Sequence, residues 1–310
     1  MTSGPVSEES PLLIYLSPIR QDTLMPMSHE RSLPLPFPIQ DEYPVFAIIS
    51  DTHVGARNSV YPAFIRVIDE LKIETIIHTG DVINKPGSLR EWKRFFETTG
   101  SEKILHVAPG NHDIRFKVSR EVYRRFFPSH YYSFSKGDTL FVMLNTVLPR
   151  QRSRITGRQF EWLRTELARS FRFKFVFLHE PLFPALPLHG LNVFRKARNK
   201  LHRLFVENRV NLVVAGHNHI YRRSERDTVT YVVAGNTGGK LFPFGLVSKH
   251  GNSFRYIVAT RIDGHYLLEV RDMEDNITDR FSVMPEKPHS PWYGVPVPRH
   301  KSPALLHLDH

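Results

Sequence analysis

An α/β fold is what this sequence predicts, and three observations predict it. Between Val45 and His219, short apolar runs rich in branched residues alternate with stretches of helical periodicity, as strands joined by crossover helices require. Five of these runs end in Asp, Asn or His, and in open α/β sheets ligands bind outside the carboxyl ends of the strands. After His219 the alternation gives way to successive short strand patterns. That change predicts a second, antiparallel sheet packed on the first.

The first run, Val45-Phe46-Ala47-Ile48-Ile49-Ser50, delivers Asp51 and His53. Two residues apart, they leave a strand's end on one side and together can grip a cation. Phe64, Ile65, Ile68 and Leu71 then recur at helical spacing within 59–73. The second run, Thr75 to Gly80, delivers Asp81, and Trp92, Phe95 and Phe96 mark a helix over 88–97. Lys103 to Gly110 delivers Asn111 and His112, and the next helix, near 118–127, stops before Pro128 because the residue preceding proline disfavours helical dihedrals. Segments 131–135 and 139–146 form a hairpin turning at Lys136-Gly137-Asp138.

Thr156-Gly157-Arg158-Gln159 has capping-box spacing and opens a helix whose buried stripe is Phe160, Leu163 and Leu167. Phe175 to Leu178 delivers His179. Phe194, Ala197, Leu201, Leu204 and Phe205 form the stripe of the following helix, with Arg195, Lys196, Arg198, Lys200 and Arg203 on its other faces. Leu212 to Gly216 delivers His217 and His219, again at spacing two. Strands follow over 229–234, 254–261 and 265–271, the last two joined by an Asp263-Gly264 turn. Residues 1–43 and 285–310 are Pro-rich, an extended lead-in and a basic tail flanking one domain over 44–284.

The chain has no cysteine, so disulfides and thiolate sites are excluded and any metal is held by nitrogen and oxygen. That donor set suits manganese, iron or zinc and argues against a structural zinc finger. Lys and Arg outnumber Asp and Glu by 42 to 31, a formal charge of +11. Such an excess favours anionic partners: phosphorylated small molecules, nucleic acid or an acidic membrane surface. No apolar segment approaches the roughly 20 residues of a membrane-spanning helix, and the acidic start lacks a basic stretch before Pro11 to Leu16. A cytoplasmic location is expected.

Asp51, His53, Asp81, Asn111, His179, His217 and His219 supply two carboxylates, one amide and four imidazoles, a set that fits two ions. Paired cations act on phosphate esters, so hydrolysis of a phosphoester bond is expected. With 17 His in the chain, His78, His106, His189, His202 and His250 are read as ordinary core or surface residues.

Ser50-Asp51-Thr52-His53, Gly80-Asp81, Gly110-Asn111-His112-Asp113, His179 and Gly216-His217-Asn218-His219 resemble the five ordered motifs of the calcineurin-like metallophosphoesterases. Gly157 to Leu163 is similar to a helix of the cyclic-nucleotide-phosphodiesterase-like branch. The resemblance implies a four-layer α/β/β/α sandwich of two packed mixed sheets. It also implies one metal on Asp51, His53, Asp81 and His219, and a second on Asp81, Asn111, His179 and His217, with Asp81 giving one oxygen to each. A hydroxide bridging the metals would attack phosphorus, and His112, the catalytic residue, would steady the developing charge or protonate the leaving oxygen.

In several members an acid lies three residues after the bridging Asp, where this chain has Asn84. Asn84 can hydrogen-bond an imidazole but adds no charge. Purple acid phosphatases have tyrosine there, so an iron-tyrosinate centre is not expected. Asp113 is read as structural. Arg57, Lys85, Arg115 and Lys117 either reach substrate phosphate or stay in solvent. The apolar loop Pro181 to Leu191, beside the basic helix, is read as folded over the domain, the alternative being that it lowers a cationic, partly apolar surface onto an anionic membrane carrying a lipid phosphate or pyrophosphate. Besides a phosphodiesterase or phosphomonoesterase, the residues leave open a nuclease and, because the family's retromer subunit has lost ligands, a non-catalytic scaffold.

Overall fold

The structure is a computed structural model describing residues 43–184, 189–238 and 253–285. The lead-in and tail, His250 and part of the 181–191 loop lie outside the described residues, apart from Tyr43 and Pro285. In chain order the elements begin β1 (Tyr43–Ile49), α1 (Tyr61–Glu70), β2 (Thr75–His78), α2 (Leu89–Thr99), β3 (Ile104–Val107) and α3 (Lys117–Phe126). They continue with β4 (Tyr132–Lys136), β5 (Thr139–Met143), α4 (Gly157–Leu167), β6 (Phe173–Phe177), α5 (Arg195–Glu207) and β7 (Leu212–Ala215). Last come β8 (Tyr221–Arg226), β9 (Val229–Ala234), β10 (Arg255–Ile262), β11 (His265–Asp272) and β12 (Ile277–Val283).

Alternation along β1 shows how the layers are built. Phe46 and Ile48 join Ile77, Phe141, Phe175, Phe177 and Val214 in one cluster, whereas Ala47 and Ile49 join Phe64, Ile68, Trp92, Phe95 and Tyr123 in another. Successive strand side chains take opposite faces. The first cluster therefore lies between two sheets and the second under α1, α2 and α3. A third cluster joins Val142, Val176 and Val213 to Phe160, Leu163, Leu201 and Phe205 under α4 and α5. The result is the expected α/β/β/α sandwich. Its middle layer is dominated by phenylalanine, with Phe46 edge-on to Phe141 at 5.4 Å, an arrangement aromatic rings favour.

One sheet has the order β12-β11-β10-β1-β2-β3 and the other β4-β5-β6-β7-β9-β8. The strands after His219 do not form a sheet of their own, contrary to the expectation from their sequence pattern. β10 runs antiparallel to β1, pairing Ala47 with Val258, and takes up the backbone groups that β1 presents on the side away from β2. β9 joins β7 in parallel, Val213 opposite Tyr231. Both sheets are mixed, and β1, β2, β6 and β7 are central strands whose carboxyl ends share one edge of the sandwich.

Two local readings are corrected. Thr156 makes no capping hydrogen bond. Gln159 turns inward instead: its Oε1 accepts from Asn145 N at 2.8 Å and its Nε2 donates to Asn145 O at 2.9 Å. Satisfying a buried main chain that has left the ladder outweighs a cap at an exposed helix start. Phe194 does not belong to the buried stripe of α5, which is Leu201, Leu204 and Phe205; it ends a 3-10 turn, Gly190–Phe194.

Candidate metal centre

All five strand ends that carry candidate ligands meet at one edge. Asp51, His53, Asp81, His217 and His219 follow their strands with φ of 52°, 42°, 55°, 71° and 53°. This left-handed region is uncommon for residues other than glycine, although Asp, Asn and His enter it most readily. Strained backbone of this kind concentrates at functional sites. Gly110 lies so close to Asp81 that a Cβ would collide with its carboxylate and backbone nitrogen. This close approach lets the 110–113 loop lie against Asp81.

His179 Nε2 is a point of convergence. Asp81 Oδ2 lies 3.3 Å from it, Asn111 Oδ1 3.2 Å and His217 Nδ1 3.2 Å. His219 Nε2 is a second such point, with Asp51 Oδ1 and His53 Nε2 both at 3.3 Å. Asp51, His53 and His219 form one group able to hold a metal ion, and Asp81, His179 and His217 form another. Asp81 Oδ2 links them, lying 3.9 Å from His53 Nε2 as well as 3.3 Å from His179. The expectation of one Asp81 oxygen per metal differs from this geometry, because Oδ1 is engaged by His112 N at 2.7 Å. A third group, His53, Asp81 and His112, places His112 beside the first, its ring 4.6 Å from that of His53. Asp51, His53, Asp81 and His179 are buried, whereas Asn111, His112, His217 and His219 are half-buried. The pocket therefore opens on the latter side.

Hydrogen bonds behind the pocket fix which atoms face it. His179 Nδ1 donates to Thr79 O at 2.9 Å, leaving Nε2 to the converging groups. His112 Nδ1 donates to Asn84 O at 2.6 Å. The partner is thus the main-chain carbonyl of Asn84 and not its side chain. His78 accepts from Gly80 N at 3.0 Å on Nδ1 and meets Thr52 Oγ1 at 2.9 Å on Nε2. Its proton therefore sits on Nε2, and Thr52 passes its own to Val82 O at 2.9 Å. Ser50 Oγ donates to Asp51 Oδ2. Asp113 Oδ2 accepts from Gly110 N at 2.8 Å and Asp81 N at 2.9 Å, and Oδ1 accepts from Val82 N at 3.0 Å. Its structural role is thereby explained: it ties two ligand-bearing loops together.

Burial pulls His53 and His217 down to about 4, so both rings are neutral near pH 7 and present lone pairs. Burial would also lower His179, but the Asp81 carboxylate raises it to about 10. Burial opposes ionisation of Asp51, yet the neighbouring His219 holds it down to about 2. Burial lifts Asp113 to about 7, assisted by the charge of Asp81.

Without metal, one proton on His179 faces three acceptors. A cation in that proton's place would satisfy all three at once, and metal binding at such sites releases protons in this way. The all-nitrogen-and-oxygen donor set fits divalent manganese, iron or zinc.

Residues 44–221, more than half of the 310-residue chain, match the family model described as calcineurin-like phosphoesterase. The chain belongs to that family. Purple acid phosphatase 15 of Arabidopsis thaliana is 29% identical over 155 residues, 44% of this chain and 28% of its own length. The serine/threonine-protein phosphatase CPPED1 of Bos taurus is 27% identical over 267 residues, covering 77% of this phosphoesterase and 80% of the relative. Among solved structures, the purple acid phosphatase PPD1 from yellow lupin (Lupinus luteus) seeds superposes with a TM-score of 0.62 at 18% identity, covering 80% of this chain and 55% of the other. The chain spans about a third or less of the first curated relatives it matches.

All seven candidate ligands and His112 lie at this edge. Arg57, Lys85, Arg115 and Lys117 are exposed. Asn84 O, Ser50, Thr52 and His78 were missed as supports. A main-chain carbonyl leaves no mark in sequence, but Ser50 and Thr52 flank Asp51 within its motif.

Proposed function

We propose that this phosphoesterase is a dinuclear hydrolase of phosphate esters. Asp51, His53 and His219 would hold one divalent ion, Asn111, His179 and His217 the other, and Asp81 both. The observation that carries this reading is the single oxygen, Asp81 Oδ2, facing His53 at 3.9 Å and His179 at 3.3 Å. Bound there, such a metal pair supplies Lewis-acid activation of water and neutralises charge developing on the phosphoryl oxygens.

The chain's own side chains do the rest. His112, oriented through Nδ1 by Asn84 O, keeps Nε2 on the pocket side and can pass a proton to the departing alcohol oxygen. His112 N anchors Asp81 Oδ1, so the proton donor and the shared carboxylate are placed by the same residue. Relatives named as phosphatases support testing monoesters first. The tyrosine of purple acid phosphatases is Asn84 here, which favours a colourless metal pair.

The experiment is metal analysis of the purified chain, followed by hydrolysis of p-nitrophenyl phosphate and bis-p-nitrophenyl phosphate with manganese, iron and zinc. Two ions per chain are expected, with activity lost on Asp81→Asn. Absence of divalent ions, or full activity in Asp81→Asn, refutes the assignment.

A further inference from the structure

In the apolar loop Pro181 to Leu191 the described leucines are turned inward: Leu182 and Leu191 are each 1% exposed. Large apolar side chains do stand in water at a neighbouring place, around the pocket's mouth. Phe116 is 59% exposed, Val118 65%, Val193 50% and Phe194 39%.

They belong to one strip. Arg115 stacks on Phe116 at 5.4 Å, and Arg152 Nη2 donates to Arg115 O at 3.0 Å. Two residues on, Arg154 lies over the Phe194 ring at 4.3 Å. The strip borders the pocket at two points. Arg115 follows Asn111-His112-Asp113 almost directly, and His189, which opens the turn carrying Val193 and Phe194, has its ring 6.4 Å from that of His217. Its charges are mainly cationic. Among the described residues Lys117 meets Glu121 at 4.0 Å and Arg152 lies in the field of the buried Glu180, while Arg115, Arg154, Arg195 and Lys196 are exposed or half-buried cations with no carboxylate at ion-pair distance.

We propose that this rim docks on an anionic lipid bilayer. Phe116, Val118, Val193 and Phe194 would enter the interface between head groups and acyl chains, and the arginines would engage head-group phosphates. Apolar side chains ringed by cations are what such a surface binds, by burying apolar area and by attraction to anionic lipid together. Single-stranded nucleic acid would also take arginine and phenylalanine, but it gains from flat rings on which bases stack. Val118 and Val193 offer none, and their exposure favours the bilayer. Docking would bring the pocket's mouth to the layer where phosphate esters of lipids lie. It does not rest on the catalytic reading, since binding is measured without turnover.

The test is co-sedimentation of the full chain with phosphatidylcholine vesicles, with and without phosphatidylserine. Binding is expected only with the anionic lipid. It should weaken severalfold between about 0.1 and about 1 M salt, as the Debye length falls from about 10 to about 3 Å. Phe116→Ser with Phe194→Ser should lower the partition coefficient about tenfold or more, as loss of two interfacial rings implies. Val118→Ser, at a site too exposed to matter for folding, should lower it severalfold. Leu89→Ser, on an exposed residue outside the strip, should leave it unchanged. No binding to anionic vesicles, equal binding to neutral ones, binding untouched in the strip variants, or binding to a single-stranded oligonucleotide in place of vesicles each overturns the proposal. Hydrolysis of p-nitrophenyl phosphate is expected to be unchanged in the strip variants, so failure of docking and failure of the hydrolase reading are told apart.

Discussion

Asp113→Asn is the perturbation whose effect can be worked out most directly. Asp113 is fully buried, with one oxygen holding Gly110 N and Asp81 N and the other holding Val82 N. An asparagine keeps the shape but has one acceptor oxygen, so one side of the carboxylate becomes an NH2 facing backbone N–H groups. If the Gly110 and Asp81 amides lose their partner, two hydrogen bonds to a charged group vanish, about 1.5–3 kcal/mol each. At pH 8, above the value of about 7 to which burial lifts this carboxyl, a neutral amide is cheaper to bury than the ion, offsetting about 1–2 kcal/mol. The net loss is about 2–4 kcal/mol, or a Tm lowered by about 5–15 °C for a domain of this size. Because the same bonds tie Asp81 to the 110–113 loop, metal affinity should fall about 10–100-fold as well. Differential scanning calorimetry at pH 8 and titration with manganese read both quantities. A Tm within about a degree of the parent's, or unaltered metal affinity, would refute the role given to Asp113.

Further outcomes follow from the same geometry. Asn84→Ala should leave turnover of p-nitrophenyl phosphate nearly intact, because His112 is oriented by the carbonyl at position 84, whereas His112→Ala should lower kcat about 10²–10⁴-fold with metal retained; a large loss in Asn84→Ala would return the role to the side chain. Gly110→Ala should abolish stoichiometric metal binding, since its methyl would occupy the space of the Asp81 carboxylate; metal content equal to the parent's would contradict this. His106 stacks on Phe134 at 3.5 Å, and burial, with Lys136, pulls it down to about 4. A folded value below the unfolded 6.5 means its stabilisation is complete above about pH 6.5 and lost as pH falls through 4. His106→Phe should remove about 2 kcal/mol of that acid sensitivity, after allowance for solvent reaching the ring, and an unchanged slope of Tm against pH would disprove it.

Much of the candidate site was legible in the sequence because each candidate ligand closely follows its own strand: Asp51 comes after β1, Asp81 after β2 and His179 after β6. Local hydrophobic patterning suffices to find such positions. Partition of strands between the sheets was not legible, since β1 takes β10 as neighbour across more than 200 residues and no local pattern encodes that pairing. Both strands missed outright, β8 and β12, are sheet edges. Their Arg-, Glu- and Asp-rich sequences, Tyr221–Arg226 and Ile277–Val283, suit edge strands, which natural sheets blunt with charge. The capping-box spacing misled because Gln159 answers to Asn145, a residue on the preceding strand's exit that helix propensity does not see.

The left-handed backbone under Asp51, His53, Asp81, His217 and His219 decides how their loss should be studied. Alanine at these positions removes the donor and keeps a Cβ in the left-handed conformation, as the native residue does. Glycine removes the donor and also relieves that strain, by about 1–2 kcal/mol. A comparison of glycine and alanine variants at each position would therefore divide what the cation requires from what the chain itself must bend to provide.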